Sequence, residues 1–209
     1  MFIQHARHHL KSPGTVAQPR AFRLLDTAAA AALTRWTRSP AEHLAGANLP
    51  DEQVAELRGA ARVADEIAQQ IYFASGAFNA KQGSPPPGRD DLARFADLAF
   101  PVLARCAMLR LPHCIHAVVE TMIFLAPLDE ARALRAIADA IPADGPYAGE
   151  SLAGDLVIPY LERLLTEQRP LVLFDEHGTP AFRHLLATFA TAGNQAALTL
   201  AYTFADVFR

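Results

Sequence analysis

Three residues whose types and spacing suit metal chemistry, His113, His116 and Glu120, lie in the mid-chain stretch Pro112 to Ala126, PHCIHAVVETMIFLA. At about 100° per residue, a helix through this stretch gathers the three within a sector of roughly 60°. Ile115, Val118, Val119, Met122 and Leu125 then share the opposite side. Two imidazoles and a carboxylate on one face are ligands for a divalent transition metal such as zinc or iron. They supply half of a helix-bundle site, and a facing helix would have to complete it. His184, Asp97, Glu150 and Asp155 are candidates for that role by residue type. The competing reading is a solvated polar stripe on an amphipathic helix, since Phe124 shares the stripe and no second ligand motif appears elsewhere.

Two other stretches carry reactive residue types. Gly149-Glu150-Ser151-Leu152-Ala153-Gly154 places a serine between glycines, but a nucleophile elbow needs a preceding strand, and here a Pro/Gly-rich loop precedes it. Ser151 therefore reads as a helix-capping serine. Asp175-Glu176-His177-Gly178 puts an acid pair beside a histidine in a surface turn, which suits acid-base work only if a pocket surrounds it. P-loop, G-x-G-x-x-G and H-E-x-x-H patterns do not occur. Cys106 and Cys114 lack the C-x-x-C spacing of zinc and redox motifs, so no disulfide framework is expected and a cytoplasmic location fits.

The elements that position these residues follow from composition and punctuation. With 209 residues, 51% hydrophobic and 20% charged, the chain is long enough to build a core without metals or disulfides. A net charge of -3 gives no general attraction to nucleic acid or anionic lipid. No apolar run approaches the roughly 18 residues that cross a bilayer.

Residues 1–20 carry Arg7, Lys11 and Arg20 with Pro13-Gly14 and Pro19 but no acid, and read as an irregular basic arm. Residues 21–80 form an N-terminal helical subdomain. Its first helix follows Phe22, Leu25, Ala29, Leu33 and Trp36, and Ser39-Pro40 ends it, with a short turn to Leu44. Its long helix of about 28 residues opens at Pro50 and runs through Val54, Leu57, Ala61, Ala64, Ala68, Ile71 and Phe78. Residues 81–89 hold a Pro/Gly linker, KQGSPPPG through Gly88.

Residues 90–209 then form a domain of short, proline-punctuated helices. Asp90 caps the first, which Pro101 should kink or break; Asp129 and Glu130 open another; Asp155 caps a third with Pro159 in its first turn; Thr179-Pro180 opens the next, and Gly193-Asn194 stops it. Leu171 to Phe174 reads as an extended connector. The fold class is all-α with no significant sheet, a multi-helix bundle that over residues 90–209 resembles in architecture a HEAT-like or armadillo-like α-solenoid.

The last helix, from Gln195 to Phe208, carries apolar groups around most of its circumference and must be covered, either by central insertion or by a partner. Leu198, Tyr202, Phe204 and Phe208 are its candidate interface residues. The functional expectation is a non-enzymatic protein-protein interaction or scaffold module without cofactor, binding a protein partner or itself. The alternative is a helical-bundle metalloenzyme of hydrolase or oxidoreductase type using His113, His116 and Glu120.

Overall fold

The computed structural model describes residues 6, 8–11, 15–38 and 50–206, and among these every regular element is helical. The chain divides into two compact units, Met1–Thr121 and Met122–Arg209. No helix among the described residues is long and apolar enough to cross a membrane.

In the first unit, α1 (Ala17–Arg38), α2 (Asp51–Ser75) and α4 (Arg89–Ala107) pack against one another, and α3 (Ala77–Lys81) follows α2 directly. The linker Lys81 to Gly88 lies inside this unit, because α4, beyond it, packs on the two helices before it. Apolar residues at helical spacing explain the arrangement. Phe22, Leu25 and Ala29 of α1, Ala64, Ile67, Ala68 and Ile71 of α2, and Phe95, Ala99 and Leu103 of α4 are all buried. Phe22 and Phe95 meet edge to face with centroids 5.2 Å apart, and Arg105 Nε donates to Asp26 Oδ1 at 2.8 Å at the rim.

Gly76, at φ +92°, ends α2 after 25 residues and turns the chain into α3, so Phe78 is outside the long helix it was expected to extend. The entry segment is not an irregular arm throughout. Ala6 and His8–Leu10 are helical, Leu10 is buried with its carbonyl accepting from Gln18 Nε2 at 2.8 Å, and α1 begins at Ala17 rather than Ala21. Pro19 sits in the first turn of α1, where a missing N–H costs nothing. The short turn expected from Ser39 to Leu44 lies outside the described residues.

Helix α5 (Pro112–Leu125) carries the His113, His116, Glu120 stripe, with Thr121 as the last residue of the first unit. In the second unit, α6 (Glu130–Ala140), α7 (Ser151–Glu167), α8 (Arg169–Leu173) and α10 (Gln195–Asp206) all contact α9 (Gly178–Thr191). Phe182, Leu185, Leu186 and Phe189 of α9 make its core, together with Leu161 and Leu164 of α7 and Ile137 of α6. Tyr147, in a 3-10 turn at Pro146–Gly149, is buried as well.

Three local expectations are corrected. Pro101 and Pro159 each lie inside a continuous helix, and Asp155 lies within α7 instead of capping it. Both prolines are exposed, as are Asp97 and Asp155 four residues before them, so water can satisfy the carbonyls that lose their donors. Gly88, not Asp90, holds the N-cap of α4, and Asp90 with Asp91 occupies its first turn, where acids complement the dipole. Leu171 to Leu173 is helical, not extended: Pro170 opens the short helix α8, and the bulky run exists to bury Val172 and Leu173.

Candidate functional site

Glu120 is the one charged side chain among the described residues that is buried, and three elements of the first unit meet at it. Helix α5 presents its carboxylate, the last turn of α2 brings Tyr72, whose hydroxyl donates to Oε1 at 3.2 Å, and α3 delivers the Lys81 ammonium to the same oxygen. His116, one turn before Glu120, holds Nε2 4.0 Å from Oε2. His113 is exposed at the outer end of the stripe.

This geometry sets the local electrostatics. Lys81 keeps 57% of its side chain in solvent and Glu120 only 10%, so the pair is half wet, with the carboxylate as its dry half. Burial, then the positive charges of Lys81 and His113, lower the pKa of His116 from its usual value, which keeps the imidazole neutral near pH 7. Burial raises the Tyr72 phenol, so it stays a hydrogen-bond donor. The arrangement is a carboxylate with its donors already supplied, flanked by a neutral histidine.

Sequence reasoning placed His113, His116 and Glu120 on one face, and they share it. It missed Tyr72 and Lys81, which lie 48 and 39 residues from Glu120 in sequence. A lysine at the end of a helix before a proline linker was the available signal. Of the proposed completing ligands, Asp97 is exposed on α4, and Glu150 and Asp155 are exposed in the second unit. His184, also in the second unit, spends Nε2 on the Ile141 carbonyl at 2.8 Å. Among the described residues, no three His, Cys, Asp or Glu side chains converge on a point that could hold a metal ion.

No family model, curated protein or solved structure matches this chain.

The second unit holds an open cleft of about 590 Å³, within the size range of small-molecule sites. Arg135, Ala138, Asp139 and Pro142 line one wall and Glu176, His177, Pro180 and His184 the other. The acid-histidine turn thus borders a pocket. Asp175 does not contribute a free carboxylate to it, because Oδ1 accepts from the backbone N–H groups of Gly178 at 2.6 Å and His177 at 3.0 Å. Those two bonds hold its pKa below the usual carboxylate value and start α9. His177 Nε2 lies 3.2 Å from Glu176 Oε1, with both side chains mostly in solvent. The cleft offers carboxylates and cationic or imidazole groups together and selects neither sign of ligand.

Ser151 is the first residue of α7 and is exposed, and the helix cap at Glu150 makes no side-chain hydrogen bond, so Ser151 does not cap it.

Helix α10 separates its apolar residues onto two faces. Ala197, Leu200 and Phe204 are buried, with Phe204 stacked at 5.2 Å on Phe182. Tyr202 is 75% exposed, and Leu198 is half-buried beside it one turn earlier. Phe208 lies outside the described residues. Of the expected interface set, Phe204 belongs to the core, while Leu198 and Tyr202 point away from it.

Proposed function

We propose that this protein is a non-enzymatic helical interaction module whose second unit docks a protein partner, or a second copy of itself, through the outward face of α10. The exposure of Tyr202 on a helix that carries no charge before its last residue, Asp206, carries this reading. From Gln195 to Ala205 the chain has no charged side chain, although the side of the helix away from Ala197, Leu200 and Phe204 reaches solvent. Depletion of charge together with a surface tyrosine is the compositional mark of an interface core. Helices stacked on α9 and joined by short, proline-marked turns suit a HEAT-like scaffold role.

A helical-bundle metalloenzyme built on His113, His116 and Glu120 has less support, because Glu120 Oε1 already serves Lys81 and Tyr72. Sedimentation velocity over a wide concentration range tests the interaction reading. Association that strengthens with concentration in the wild type and is lost in Tyr202→Glu, with the unfolding midpoint unchanged, supports self-docking. A wild type that stays monomeric at every concentration removes the second copy as partner.

A further inference from the structure

The chain's two cysteines are brought together by the corner between α4 and α5. Cys106 lies in the last turn of α4 and Cys114 in the first turn of α5, and both are fully buried. The Cys114 thiol donates to the Cys106 carbonyl at 3.7 Å, which sets its sulfur against the last turn of α4. The neighbouring Cys106 side chain, burial and the nearby Asp65 carboxylate together raise the pKa of Cys114. In the closed corner the Cys114 thiol is therefore protonated and unreactive.

The corner itself is the weak point of this packing. Met108 is 63% exposed, and Arg110 adopts φ 54°, a left-handed conformation that crowds any residue bearing a Cβ. Helix ends open before helix centres, and opening this one corner frees both cysteines at once. Asp65 Oδ1, buried without a hydrogen-bond partner, gives nothing to hold the closed state there.

We propose that Cys106 and Cys114 form a reversible dithiol that a low-molecular-weight disulfide oxidises to an intramolecular disulfide when the α4–α5 corner opens. One cysteine gives its proton to solvent, and its thiolate attacks the S–S bond of glutathione disulfide. One glutathione thiolate leaves and is protonated, and a protein mixed disulfide remains. The second cysteine, likewise deprotonated, attacks the protein sulfur of that bond and releases the second glutathione. The protein dithiol loses two electrons and two protons, and one glutathione disulfide becomes two glutathiones. The product ties the end of α4 to the start of α5.

The test is intact-mass analysis of the full chain held with excess glutathione disulfide. The expected product is a monomer lighter by two hydrogens, carrying no glutathione and restored by dithiothreitol. Its rate of formation levels off as oxidant is raised, because corner opening limits it. Cys106→Ala should instead retain one glutathione, and Cys114→Ala serves the same purpose if the first variant does not fold. Three results overturn the proposal: a wild type holding two glutathiones, a disulfide-linked dimer as the main product, or two unmodified thiols after an exposure that fully converts the guanidine-denatured chain.

Discussion

Tyr72 and Glu120, 48 residues apart, share a hydrogen bond of 3.2 Å that anchors the end of α2 to α5, and Lys81 closes over the same carboxylate oxygen. An ordinary surface ion pair contributes about 0–1 kcal/mol. This pair differs because its acid is buried. Removing the lysine leaves a carboxylate with only Tyr72 and a neutral histidine beside it. Lys81→Met should therefore destabilise the fold by about 1–3 kcal/mol in urea unfolding, the cost of an undercompensated buried charge. Glu120→Gln keeps an acceptor for Tyr72, so the double variant should lose less than the sum of the two single losses. A Lys81→Met cost below about 0.5 kcal/mol would mean that the pair is only a surface contact.

His116 sets a pH dependence of definite sign. Its pKa is lowered in the folded protein by burial and by Lys81 and His113, so as pH falls the unfolded chain takes up this proton first. The stability it contributes is whole above the unfolded value of about 6.5 and is lost as pH drops through the lower folded value. Unfolding free energy should fall between about pH 7 and pH 5, and His116→Gln should flatten that part of the curve. An equal slope in the variant would assign the effect to other groups.

Two glycines should respond oppositely to alanine. A Cβ on Gly178 would lie 2.6 Å from the Leu171 carbonyl oxygen and 2.5 Å from its Cδ1, so α8 and α9 approach each other only because that position has no side chain. Backbone cannot step aside cheaply, and Gly178→Ala should cost about 1–3 kcal/mol. At Gly59, exposed within α2, a Cβ meets nothing within 4 Å. Gly59→Ala should stabilise by up to about 1 kcal/mol, through helix propensity and a less flexible unfolded chain. Thermal unfolding that moved both variants in one direction would contradict this contrast.

Helical periodicity made the core faces legible: Phe22, Leu25 and Ala29, or Phe182, Leu185 and Phe189, are buried as their spacing requires. Proline was harder to read. Pro101 and Pro159 look like helix breaks in sequence, yet the cost of a lost hydrogen bond depends on whether the freed carbonyl meets water, and exposure is a tertiary property. The stripe on α5 could be read because its members are i, i+3 and i+7. Its other half could not, because Lys81 reaches Glu120 only through the turn at Gly76, and Tyr72 only through the tertiary placement of α2 beside α5. The acid-histidine turn was visible as residue types, and the cleft beside it depends on how α6 and α9 pack.

Phe204 and Tyr202, two residues apart on α10, separate folding from docking. Phe204 is buried on Phe182, and the Arg183 guanidinium lies 5.5 Å from its ring centroid. Its truncation removes core volume and the stacked ring, so Phe204→Ala should cost about 3–5 kcal/mol in denaturant unfolding. Tyr202 is 75% exposed, and Tyr202→Ser should change stability by no more than about 0.5 kcal/mol. The same serine variant should weaken any association made through this face, because it removes the large, rigid side chain that an interface buries. Comparable stability losses in the two variants would place Tyr202 in the core and leave α10 without an outward face to offer.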